Sequence, residues 1–181
     1  MKKPTFLIIG LFLLFAFFHF RQSKEAIVVP AEIFIDNILQ IQKIGLSVPI
    51  IYSDSESEGV IQKNLESGVV HLPNTASPGE IGNVYLVGHS SDYIFSPGKY
   101  KTVFAELDKL EVQDEIIITY QNNTFKYLVY DKKVVAPDDL SVLSQESSDK
   151  KLLTLQTSYP VNTAQKRLII LAEFFQKSDN R

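Results

Sequence analysis

The chain has no cysteine, only three histidines, and arginine only at positions 21, 167 and 181. Without thiols it can form no disulfide and no thiolate metal site, and a hydroxyl is the nucleophile left for a strand-end site. The missing cysteines say little about compartment, because an exported protein can manage without disulfides. Blocks of like charge are also missing. Acidic and basic residues are interspersed at a net charge of −3, which points away from nucleic acid and from a polybasic membrane patch. There are no internal repeats and no low-complexity tracts. The 181 residues, 45% of them hydrophobic, suffice for one globular domain with its own core.

The scarce residues narrow the candidates. His19 and Arg21 sit in or beside an apolar N-terminal stretch, and Arg181 is the last residue. The body therefore keeps His71, His89 and Arg167. A lone arginine among many lysines reads either as chance or as a position needing a planar, permanently charged fork.

One long hydrophobic run is present, from Pro4 to Phe20, preceded by Lys2 and Lys3. Its length as a helix is roughly 25 Å, close to a hydrocarbon core of roughly 30 Å, and flanking Lys3 and Arg21 can snorkel. Arg-Gln-Ser-Lys-Glu follows Phe20 with no small-x-small cleavage site, so an uncleaved signal anchor is expected rather than a removed signal peptide. The expected layout is a cytoplasmic n-region over 1–3, a transmembrane helix over 4–20, a stalk over 21–36, a β-domain over 37–177 and a tail over 178–181. The domain is then extracytoplasmic on a single-pass cell-membrane protein.

Beyond the stalk, turn signals recur between short β-rich runs, the pattern of a compact all-β domain. Strands are expected at Ile38–Ile41 and Val48–Tyr52 around Gly45, at Gly68–Pro73 and at Val84–Val87. Ser53 to Gly59 reads as a polar, acidic loop. Val103–Leu110 has apolar residues at helical spacing and predicts one or two helical turns. Ile116–Tyr120 and Phe125–Tyr130 flank Gln121-Asn122-Asn123-Thr124, a hairpin with asparagines available for positive φ. Leu152–Thr157 and Leu168–Phe174 form the last pair of strands, joined by a loop with Pro160 and Asn162.

That last pair presents Ser158 and Arg167 at facing strand ends, where a guanidinium can stabilise an oxyanion or a bound carbonyl. His89 follows a strand directly after Gly88. The three supply a nucleophile, an imidazole and a cation. Asp92 is the acid nearest His89 in sequence and reads as a solvated loop carboxylate rather than a triad member. Glu56 and Glu58 lack an oxygen-ligand pattern for Ca²⁺, and neither a metal nor a cofactor is expected.

Three segments together resemble the sortase family, the membrane-anchored cysteine transpeptidases of bacterial surfaces. His71-Leu-Pro-Asn-Thr-Ala-Ser-Pro-Gly-Glu-Ile-Gly-Asn83 is similar to that family's His-x-Pro-Gly-Thr-Ala-x-Pro-Gly-Glu-x-Gly-Asn. Val84-Tyr-Leu-Val-Gly-His89 is similar to its strand ending in Ala-Gly-His. Leu153-Thr-Leu-Gln-Thr-Ser-Tyr-Pro160 with Arg167 is similar to Leu-Thr-Leu-x-Thr-Cys-x-Pro followed by Arg. The likeness covers roughly residues 38 to 175 in the family's order.

The resemblance implies a closed eight-stranded β-barrel with one or two short helices, and a site made of His89, Ser158 and Arg167 at one end. It implies substrates with a C-terminal Leu-Pro-x-Thr-Gly-like sorting signal on surface proteins, and an amine acceptor on cell wall or pilin. His71 and Thr157 are candidate substrate-binding positions, with His71 equally readable as a partly buried residue closing its loop. Leu72-Pro73-Asn74-Thr75-Ala76 itself resembles a sorting signal but lacks the hydrophobic tail such signals precede, so it reads as loop. Two positions depart from the family pattern. Asn74 stands for a glycine, and asparagine tolerates left-handed turns. Ser158 stands for the nucleophilic cysteine, which leaves two expectations: peptide transfer through a serine acyl intermediate, or an inactive homologue that binds sorting signals or a surface partner.

Overall fold

Short strands with one apolar face, joined by turns that take positive φ, close into a barrel of eight strands in the order β1-β2-β3-β4-β7-β8-β6-β5. The structure, a computed structural model, describes residues 36–91, 97–146 and 149–179. The strands are β1 (Ile38–Ile41), β2 (Leu46–Tyr52), β3 (Val69–His71), β4 (Gly82–Val87), β5 (Glu115–Tyr120), β6 (Asn123–Val135), β7 (Lys151–Tyr159) and β8 (Lys166–Asp179). Among the described residues one α-helix, α1 (Glu58–Leu65), connects β2 to β3. The closed barrel matches the expectation from sequence. The anchor over Pro4–Phe20, the stalk as far as residue 35 and Asp92 lie outside the described residues. Among the described ones no helix is long and apolar enough to cross a membrane.

Turn chemistry sets several connections. Gln121 and Asn122 have φ of 49° and 59°, the pair of positive values that a type I′ hairpin needs between β5 and β6. Asn74, at the position where the family pattern has glycine, has φ of 59°. Two expectations need correcting. Val103–Leu110 forms turns and a short 3₁₀ segment at Leu107–Lys109, not an α-helix. Its buried residues Phe104, Leu107 and Leu110 recur every third position, and its N–H groups bond three residues back (Ala105 to Thr102 at 3.0 Å, Lys109 to Glu106 at 3.0 Å). That is the 3₁₀ period rather than the α period. The helix appears instead at Glu58–Leu65, absorbing the end of the expected Ser53–Gly59 loop. β8 runs to Asp179.

Side-chain alternation along β4, β7 and β8 separates two apolar clusters. Val84, Leu86, Leu153, Leu155, Leu168, Ile170 and Ala172 face the barrel interior. Tyr85, Val87, Ile169 and Leu171 face outward and pack with Val142 and Leu143 from the β6–β7 connection. Amide side chains fasten that connection across the sheet. Gln145 Oε1 accepts from the backbone N–H of Ala76 at 3.1 Å and of Asn83 at 3.0 Å. Buried Asn83 donates from Nδ2 to the Val142 carbonyl at 3.3 Å and accepts from Thr154 Oγ1 at 2.9 Å. Every partner in this network is itself poorly exposed to water, so losing one member leaves others unsatisfied. Asn83→Ala should therefore cost about 1–3 kcal/mol in urea unfolding, with faster amide exchange over residues 140–146. Unchanged exchange there would show that the network does not hold the segment.

Candidate active site

The site is a row of three residues across adjacent strands on the outer face. Antiparallel β7 and β8 pair Ser158 directly with Arg167. Parallel β4 and β7 pair Val87 with Gln156, so continuing that register by two residues brings His89 level with Ser158. Neighbouring strands lie about 4.8 Å apart, so the three side chains emerge side by side. His89, Ser158 and Arg167 all line one cleft of about 260 Å³.

Local packing fixes the row. The backbone N–H of Gly88 donates to the Gln156 carbonyl at 3.1 Å, extending the parallel pairing past the end of β4. A Cβ at Gly88 would come within 2.6 Å of the Phe104 ring, so only glycine lets the chain pass this buried aromatic. The Phe104 N–H in turn donates to the His89 carbonyl at 2.9 Å. Thr157, expected as a substrate-binding position, lines the cleft but is buried, and its Oγ1 donates to the Gly88 carbonyl at 2.8 Å. Its hydroxyl ties β7 to the end of β4. After the cis Tyr159–Pro160 bond, the N–H of Thr163 donates to the Pro160 carbonyl at 2.9 Å, and the chain turns back into β8.

Arg167 is half-buried and donates from Nη1 to the carbonyls of Ala164 at 3.2 Å and Lys166 at 3.0 Å. The guanidinium is thereby anchored on its own turn. Neither the Ser158 hydroxyl nor the His89 ring makes a hydrogen bond with a protein group among the described residues. The remaining lining comes from α1 (Ile61, Gln62, Leu65), from Leu72 and Val87, and from Gln156. Sequence reasoning missed this wall because it read the start of α1 as loop. The available signal was Ser57 ahead of Glu58, followed by apolar residues at 60, 61 and 65. A second hollow of about 360 Å³ adjoins the cleft through shared Ile61 and Leu72, and is completed by Glu56, Pro73, Asn74, Thr75 and Leu143. Leu72–Thr75 thus forms a wall, and Glu56 Oε1 accepts from Asn74 Nδ2 at 2.8 Å. No group of acids and histidines fit to hold a metal occurs among the described residues.

His71 does not line the cleft. It is only 6% exposed, its Nε2 lies 2.9 Å from the Ala76 carbonyl, and its ring stacks on Tyr52 at 4.7 Å between centroids. With a carbonyl as its partner, Nε2 carries the proton and donates. The side chain closes the β3–β4 loop, the second of the two readings open at the sequence level. Burial holds its pKa below the usual 6.5, outweighing the upward pulls of the Ala76 bond and the Glu80 charge. The unfolded chain therefore binds more protons once pH falls below 6.5, and stability is lost in that direction. Above that pH the contribution is complete. Replacing His71 by Gln, which keeps an N–H donor and cannot titrate, should flatten the loss of denaturant stability on acidification below pH 6.5. A decline of unchanged size in His71→Gln would assign the titration to another group.

Comparison with known proteins agrees with this architecture. Residues 39–174 match the family model of the Sortase domain. The chain is 33% identical over 136 residues to Sortase D of Bacillus subtilis (strain 168), covering 74% of this chain and 60% of that relative. The solved structure of a Clostridium perfringens Sortase D5 transpeptidase superposes with a TM-score of 0.63 at 32% identity, over 77% of this chain and 78% of the other. The crystal structure of sortase C-1 from Actinomyces oris gives a TM-score of 0.65 at 26% identity, over 78% and 76%. An eight-stranded barrel with an outer-face cleft at the end of β4 and β7 is thus the class of fold. The chain belongs to the sortase family. It spans 60% of the length of the Bacillus subtilis relative.

Proposed function

We propose that this chain acts on peptide sorting signals of the Leu-Pro-x-Thr-Gly type carried by surface proteins, transferring the acyl part to an amine on cell wall or pilin from the outer face of a membrane. The observation that carries this reading is the single row of His89, Ser158 and Arg167 across β4, β7 and β8, opening into one cleft. In the proposed reaction Ser158 Oγ attacks the threonine carbonyl carbon while His89 takes the hydroxyl proton. Arg167 offers N–H donors to the oxygen that becomes negative. The C–N bond then breaks, His89 returns the proton to the leaving amine, and an ester on Ser158 remains. An incoming amine attacks that ester, loses its proton to His89, and releases Ser158 with its hydrogen restored. This is nucleophilic catalysis with one imidazole serving as base and then acid.

A second reading has its own support. The Ser158 hydroxyl is not bonded to His89, and Arg167 spends N–H donors on Ala164 and Lys166. A serine needs an aligned base far more than a thiol does, so such a site can bind a sorting signal without cleaving it.

The two readings separate in one assay. The purified full-length chain, Ser158→Cys and Ser158→Ala are each given a fluorogenic Leu-Pro-x-Thr-Gly peptide and an amine acceptor, with binding measured in parallel. Transfer is expected in the unsubstituted chain, lost in Ser158→Ala, and faster in Ser158→Cys by roughly 10²-fold, the scale of an imperfect general base. Binding throughout with turnover only in Ser158→Cys would select the binding reading. Neither binding nor turnover in any variant would overturn both.

A further inference from the structure

We infer that Gln156 is a substrate-positioning residue, an amide donor on the cleft floor that bonds a backbone carbonyl of the peptide. The inference rests on the peptide-substrate reading above and adds the group that orients the peptide. Gln156 occupies the outer face of β7 one row below Ser158, paired with Val87 on β4 and with Ile169 on β8. It lines the same cleft as His89 and Ser158. Its apolar neighbours make it the polar group of its row.

The orientation of the amide is set from behind. Fully buried Tyr85 donates its hydroxyl to Gln156 Oε1 at 2.6 Å. Burial raises the Tyr85 pKa, more than offsetting the lowering effect of Arg167, so the hydroxyl keeps the proton it donates. With Oε1 engaged on the buried side, the Nε2 hydrogens are what Gln156 has left for the cleft. They make no hydrogen bond with a protein group among the described residues.

Spacing identifies what they meet. Two residues along β7 separate Gln156 from Ser158, about 7 Å at the usual rise of a strand. An extended peptide repeats on one face with the same period. A peptide lying along β7 with its attacked carbonyl at Ser158 therefore sets the residue two positions away over Gln156. With the N-terminal side of the signal running over Gln156, that residue in a Leu-Pro-x-Thr signal attacked at the threonine is the proline. Proline has a carbonyl and no N–H, so its backbone is matched by a donor and not by an acceptor. Nε2 supplies the donor.

The test is fluorescence anisotropy of a labelled Leu-Pro-x-Thr-Gly peptide on the full-length chain, on Gln156→Leu and on Gln156→Glu, with thermal midpoints recorded alongside. Glutamate keeps an acceptor for Tyr85 and loses the donor, so a merely structural role is rescued by it and a donor role is not. The expected result is binding weaker by about fivefold to tenfold in both variants, the loss of one hydrogen bond, with the Gln156→Glu midpoint close to that of the unsubstituted chain. Gln156→Glu binding as tightly as the unsubstituted chain, or Gln156→Leu doing so, would overturn the inference while leaving the peptide reading intact. Absence of binding by the unsubstituted chain would remove both.

Discussion

Parallel pairing of β4 with β7 is the constraint on which the rest of the site depends. It runs without a shift from Gly82↔Lys151 to Val87↔Gln156 and is prolonged by the Gly88 N–H and the Thr157 hydroxyl. A slip of one residue would move every side chain to the opposite face. Ser158 would then point into the barrel, and Leu153 and Leu155 would leave the core for the outer face. The apolar interior therefore enforces the register, and the register alone aligns His89 with a serine 69 positions away in the chain. The alignment of the candidate residues is a by-product of core packing on the other side of the same three strands.

The same alternation explains why the outer face is not simply solvent-exposed. Tyr85, Ile169 and Leu171 would leave an apolar patch if the β6–β7 connection did not fold over them with Val142 and Leu143. The amides of Asn83 and Gln145 hold that cover in place. The cover and α1 then border the clefts from two sides, while the uncovered end of the face carries the candidate residues. One connection thus completes a second small core and shapes the approach to the site.

Much of this was legible in the sequence, for identifiable reasons. The strands around His89, Ser158 and Arg167 could be read because continuous apolar runs end abruptly at Gly88 and Pro160. Asn74 and Asn122 announced left-handed turns, whereas the positive φ of Gln121 was not foreseen. The position of His71 was open because a histidine after two valines fits a rim or a closed loop equally well; the stack on Tyr52 and the bond to Ala76 are long-range or loop contacts that spacing does not encode. α1 escaped notice because its first turn contains Glu58 and Gly59, residues that also suit a loop, and its apolar side is short. Phe104, Leu107 and Leu110 misled because spacings of three serve both helix types. Gln156 was hidden for a different reason. Its significance depends on Tyr85, which is 71 residues away and reaches it only through the β4–β7 register.

The hydroxyl at position 158 changes what its neighbours must do. A thiolate is stabilised by a cationic imidazole, whereas a serine hydroxyl must be deprotonated by a neutral one as it attacks. Serine and cysteine in the same frame thus ask for different protonation states of the imidazole at position 89. Arg167, directly paired with Ser158, supplies a permanent positive charge in either case. It also suits the oxyanion of a tetrahedral intermediate, whichever nucleophile forms it. What the fold does not provide among the described residues is a carboxylate bonded to His89 to steady the imidazolium once it forms. In a serine site that third group orients the base and stabilises its charge.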